Sequence, residues 1–150
     1  VIGLNPGPNE NWLHVGRRFA IITTAVTSLF VYFRAIRGNA IASEHLRFLP
    51  WIVAFAVTNA FAEEMITRFA LVSSLDGLVP ANEIYLVSGL IYGFVHILGT
   101  PGGVSGVLLA GFLGWFAAKS VAETKGVFWA WFIHFLQDVV IFTGLFFLNL

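Results

Sequence analysis

Long apolar stretches dominate this chain and decide what it can fold into. A helix that crosses a bilayer needs about 20 mostly apolar residues, at about 1.5 Å each across a core of about 30 Å. Five stretches approach that requirement: Phe19–Phe33, Leu49–Ser74, Ile84–Leu98, Val104–Ala118 and Val127–Leu148. Hydrocarbon offers no water to backbone N–H and C=O groups, so each stretch must close its own hydrogen bonds as a helix. The sequence therefore predicts an all-α fold, a polytopic transmembrane bundle of about five helices. Arg17, Arg18, Arg34 and Arg37 flank the first stretch, where their stems can snorkel to the headgroups. Pro50 and Trp51 open the second, and Trp129 and Trp131 stand near the start of the fifth as interface anchors. The third and fourth are short for spans. They are joined by Gly99-Thr100-Pro101-Gly102-Gly103, which reads as a turn held within the protein. Gly102, Gly106, Gly111 and Gly114 offer surfaces for close helix packing.

The rest of the composition agrees with this class. Of the 150 residues 58% are hydrophobic and 11% charged, against about a quarter charged in a soluble domain. The formal net charge is zero, which gives no electrostatic case for a nucleic-acid partner. The absence of cysteine removes thiolate metal sites and a cysteine nucleophile. Residues 1–18 read as a loop lead-in, Gly-, Pro- and Asn-rich at its start and without the apolar core of a signal peptide. Residues 19–150 read as one membrane-embedded domain. Val1 in place of an initiator Met reads as a fragment or processed product of a longer chain. Arg17, Arg18, Lys119 and Lys125 fall on one side of a five-span layout, and Arg34, Arg37 and Arg47 on the other. That balance sets no orientation under the positive-inside rule.

Against this background, a few residues are out of place. An ionisable side chain at a helix centre costs about 2.5–3.5 kcal/mol on the gentlest insertion scale. The second stretch nevertheless holds Glu63, Glu64 and Arg68, the third His96, and the fifth His134 and Asp138. Counted from the side that holds residues 1–18, Glu64, His96 and Asp138 lie about 15, 18 and 16 Å deep, and His134 about 10 Å. Three helices thus bring polar groups to a similar level near the midplane, as one convergent site would require. Glu64 and Arg68 are four apart, so they face each other, with the acid in the favoured N-terminal position. Glu63 points about 100° away around the helix, toward a different space. His134 and Asp138 are also four apart. A carboxylate with a histidine can hold and deprotonate water, and a second histidine can stabilise an oxyanion, a combination suited to water attack on an amide. Simpler readings stay open: a structural Glu64–Arg68 pair, a packing role for His96, and a His134–Asp138 pair that bonds only itself. His14 and His45 read as surface histidines in loops.

These residues also fall into known motifs. Glu63-Glu64-Met65-Ile66-Thr67-Arg68 resembles the E-E-x-x-x-R motif of the CPBP family of intramembrane proteases, which includes type II CAAX prenyl endopeptidases and bacteriocin-processing or self-immunity proteins. Tyr92-Gly93-Phe94-Val95-His96 is similar to its F-x-x-x-H motif, with Tyr for Phe. His134-Phe135-Leu136-Gln137-Asp138 is similar to its H-x-x-x-N motif, with Asp for Asn. The resemblance covers about residues 48–148. It implies that Glu63 activates water with help from His96, that Glu64 and Arg68 support the site, and that His134 with residue 138 stabilises the oxyanion. It leaves a metal-free glutamate mechanism and a zinc mechanism as alternatives, and Glu63, His96 and His134 would be the zinc set. Asp138 departs from the motif: it would serve the oxyanion only as a protonated donor, or else act as a metal ligand. Tyr92 keeps the aromatic bulk and adds a hydroxyl that needs a partner.

The expected protein is an intramembrane endopeptidase. Its partners would be membrane lipid and a peptide or prenylated-protein substrate, of CAAX or bacteriocin-leader type. It would lie in the cell membrane of a prokaryote or the endoplasmic reticulum of a eukaryote. A proton-coupled transporter is the rival, because intramembrane acids and histidines also build proton relays. A non-catalytic immunity or scaffold protein is another.

Overall fold

The computed structural model describes residues 11–37 and 43–147. It is a bundle of helices, with no strand among the described residues. Helix α1 runs Trp12–Val31, α2 Leu49–Glu64, α3 Leu71–Leu75, α4 Ala81–Val95, α5 Gly103–Thr124 and α6 Phe128–Phe147. A widened π-helical turn, Met65–Ala70, joins α2 to α3 without a break, so the two form one long rod. Among the described residues, four helical runs are long and apolar enough to cross a membrane: Leu46–Leu75, Ala81–Leu98, Gly103–Thr124 and Phe128–Phe146. Arg17 and Arg18 lie within α1, and its outward face carries Ile21, Ile22, Val26 and Leu29, all exposed.

Several boundaries differ from the sequence expectation, each for a physical reason. Helix α1 begins at Trp12 rather than Phe19. Trp12 is fully buried against Phe116, and its indole N–H bonds Glu123 on α5 at 2.9 Å, so tertiary contact extends the helix through the expected lead-in. Residues 1–10 of that lead-in lie outside the described residues. His14 is on exposed helix and His45 falls in a short 3-10 turn, Ser43–Phe48, rather than in loops. Helix α5 continues past Ala118 to Thr124 and is a full 22 residues. Its polar end is accommodated within the helix: Ser120 and Thr124 satisfy their hydroxyls on backbone carbonyls, and Lys119 pairs with Glu123 four residues on. Lys125, in the left-handed conformation, ends it and reaches Asp76 beyond α3 at 2.9 Å.

Helix α6 packs against both α1 and α2, and α4 and α5 form a tight hairpin beside them. Between α1 and α6, Gln137 donates to Thr23 and Thr24 and accepts from Thr27 at 2.6 Å, a buried polar clasp of the kind that joins helices in lipid. Glycine makes the α4–α5 contact close. A Cβ on Gly93 would stand 2.6 Å from the Val107 carbonyl oxygen, and one on Gly114 would stand 2.9 Å from Cβ of Tyr92. Gly93→Val should force the hairpin apart at a cost of about 1–3 kcal/mol. A lowered thermal transition in detergent would show it, and an unchanged one would mean that the hairpin is looser than these distances say.

Candidate active site

The long rod, α4 and α6 bring their polar side chains to one place. Glu63 and Glu64 end α2, immediately before the π-helical turn. Thr67, within that turn, donates its hydroxyl to the Glu63 carbonyl at 2.5 Å, and Arg68 donates to Thr67. Helical interruptions of this kind are frequent at functional sites because they re-aim neighbouring side chains.

Glu64 and Arg68 are fully buried, with Nε to Oε2 at 3.3 Å. The approach is an ion pair and not an aligned hydrogen bond: among the described residues Glu64 Oε2, Arg68 Nε and Arg68 Nη2 make no hydrogen bond. The guanidinium also lies over the Tyr92 ring, its Cζ 3.5 Å from the centroid. Glu64 turns its other oxygen, Oε1, to His134 Nδ1 at 2.8 Å. A carboxylate only accepts, so Nδ1 carries the proton and Glu64 sets the orientation of that ring.

The other edge of His134 meets three groups. Nε2 lies 3.1 Å from the Tyr92 hydroxyl, 3.4 Å from Asp138 Oδ1 and 3.8 Å from Glu63 Oε2. Both ring nitrogens thus face acceptors, and the ring can serve as a donor. Glu63 differs from Glu64 in being open: its side chain is 36% exposed, against 0% for Glu64. The two adjacent acids therefore have separate environments, one sealed against Arg68 and one facing the outside of the cluster. Tyr92 donates to Glu63 Oε2 at 3.2 Å, and Asn59 donates to Glu63 Oε1 at 3.1 Å.

His96 sits one helical turn beyond Tyr92, in a 3-10 turn that closes α4. Its Nδ1 meets the Tyr92 carbonyl at 2.9 Å, and its ring lies 4.2 Å from the Tyr92 ring. A carbonyl accepts, so Nδ1 is the donor and Nε2 of the neutral ring is an acceptor. His96 thus reaches the cluster through Tyr92, and it is Tyr92 that stands at the level of Glu63, His134 and Asp138. For a metal, the geometry fits less well. No group of three His, Asp or Glu side chains among the described residues is arranged to hold a metal ion, the set Glu63, His96 and His134 included.

Two contributors were not assigned from the sequence. Tyr92 was noted only for a hydroxyl in need of a partner, and the partners are Glu63 and His134. Asn59 was not singled out, although it stands four residues before Glu63 on the same helix face. That spacing was its available signal.

A helical bundle whose apolar spans hold a largely buried carboxylate–histidine cluster with one open glutamate is a membrane protein with a site suited to acid–base chemistry. Comparison with known families makes the class specific. The family model described as type II CAAX prenyl endopeptidase Rce1-like matches residues 45–140, a range that contains all three motifs. The chain belongs to that family, and the resemblance read from the motifs holds. The family is one of membrane-embedded proteases acting on a peptide or protein substrate. Neither the curated proteins nor the solved structures gave a match to this chain.

Proposed function

We propose that this protein is an intramembrane endopeptidase in which Glu63 takes a proton from a water that attacks the peptide carbonyl. The observation that carries this reading is the division of labour between the two adjacent glutamates. Glu64 is sealed and committed to Arg68 and His134, whereas Glu63 is held at the open edge, 3.8 Å from the same histidine. A general base must reach its water, and of the two adjacent glutamates Glu63 is the one with open side-chain surface, which supports that role.

In this reading His96 offers Nε2 as a second acceptor for the water. His134, fixed by Glu64, donates a hydrogen bond to the developing oxyanion, and the proton that Glu63 took from water passes to the leaving amine as the C–N bond breaks. Asp138 accepts from the His134 side and orients that ring. Substrates are membrane-associated peptides whose cleavage site comes down to the bilayer midplane. Prenylated C-terminal segments, which the family description names, are the first class to test.

The test is mass spectrometry of a mixed library of prenylated and unprenylated membrane peptides after incubation with purified protein in liposomes, with and without a chelator. One defined cleavage position, in prenylated members, with chelator-insensitive yield, is the expected result. No product, together with pH-driven ion flux in the same liposomes, would favour the transporter instead. His96→Ala should lower the cleavage rate about 10²-fold or more with the protein still folded, and an unchanged rate would remove His96 from the site.

A further inference from the structure

We propose that Asn59 and Tyr92 are positioning residues for Glu63, acting as two neutral donors that clamp its two carboxylate oxygens separately. The inference rests on the hydrolytic reading above and adds residues to which that reading gave no role. Glu63 Oε1 accepts from Asn59 Nδ2 at 3.1 Å, and Glu63 Oε2 accepts from the Tyr92 hydroxyl at 3.2 Å. An open glutamate has several rotamers, and a donor on each oxygen selects one of them.

The network extends further than Glu63. An asparagine amide has two N–H donors. Asn59 Nδ2 also lies 3.1 Å from Asp138 Oδ2, so one NH₂ group spans two carboxylates on two different helices. Tyr92 likewise stands between Glu63 and His134. The contacts close a ring, Glu63–Asn59–Asp138–His134–Tyr92–Glu63, which couples the water-activating carboxylate to the oxyanion side of the site. Tyr92 is itself immobilised, 3% exposed and covered by Arg68. Asn59 supplies the side-chain amide of the cluster, while Asp138 only accepts.

Three variants test this on a farnesylated C-terminal peptide in liposomes. Tyr92→Phe removes only the hydroxyl and keeps the ring beneath Arg68. Asn59→Leu removes the donors. Asn59→Asp keeps the shape and replaces donors by acceptors. Tyr92→Phe and Asn59→Leu should each lower kcat about 10–100-fold, the scale of a slightly misplaced catalytic group, with KM within about twofold. Asn59→Asp should be slower than Asn59→Leu, because it sets a third carboxylate against Glu63 and Asp138. A merely space-filling Asn59 would make Asp the milder change, and that order would overturn the proposal, as would wild-type kcat in Tyr92→Phe.

The carboxylate stretching band of Glu63, identified by its loss in Glu63→Gln, gives a readout that needs no turnover. It should shift in both Tyr92→Phe and Asn59→Leu, and an unmoved band refutes the clamp. If the wild-type protein cleaves nothing while the band shifts, the hydrolytic reading fails and the clamp stands.

Discussion

Glu63→Gln should reduce peptide cleavage by about 10²–10⁴-fold, the range general acid–base catalysis spans, and leave the fold in place. The substitution keeps the shape of the side chain and its ability to accept from Asn59 and Tyr92 through one oxygen. It removes the proton acceptor. Glu63 makes no ion pair with Arg68, and its side chain is more than a third exposed, so little stability is at stake. A thermal transition within a few degrees of wild type should accompany the lost rate. Cleavage at the wild-type rate would move the base elsewhere, and a collapsed transition would mean that Glu63 is structural after all.

Arg68→Ala should have the opposite character, a large loss of stability. It strands Glu64, which is 0% exposed, with the His134 Nδ1–H as its remaining partner. Breaking one side of a buried ion pair costs about 3–5 kcal/mol. At about 2–4 °C per kcal/mol for a chain of this size, the thermal transition should fall by about 6–20 °C. Arg68→Lys keeps the charge but not the planar group over Tyr92, so an intermediate loss is expected. Glu64→Leu combined with Arg68→Met should recover much of the stability, because apolar residues can replace a buried pair. It should not recover activity, since His134 then lacks its Nδ1 acceptor. Recovery of both would show that the pair serves only the fold.

Much of this arrangement could be read from residue types and spacing. A bilayer leaves little choice of backbone conformation, so the apolar stretches located the long rod, α4 and α6 to within a few residues, and α5 apart from its polar last six. Helical geometry alone paired Glu64 with Arg68 and sent Glu63 toward a separate space. Counting depth along each helix put Glu64, His96 and Asp138 near one level and His134 shallower, whereas the structure joins His134 directly to Glu64. Counting could not foresee that α4 begins at Ala81 and ends in a 3-10 turn, which leaves His96 a turn further on and Tyr92 in its place. Nor could spacing within a helix reveal contacts between helices. Glu64 bonding His134 across 70 positions, and Asn59 bonding Asp138 across 79, depend on how α2 and α6 turn toward each other. The extension of α1 back to Trp12 was hidden for the same reason: its cause lies on α5, at Glu123 and Phe116.

The central claim is that a water molecule, activated by Glu63, breaks a peptide bond within the membrane. Its most direct test is single-turnover cleavage of a farnesylated C-terminal peptide by excess protein in liposomes made up in ¹⁸O-water, with the product mass read at the new carboxylate. The account predicts one heavy oxygen in the product of the first turnover, and no product above background from Glu63→Gln. A first-turnover product without the heavy oxygen, or a Glu63→Gln protein that forms it at the wild-type rate, would contradict it.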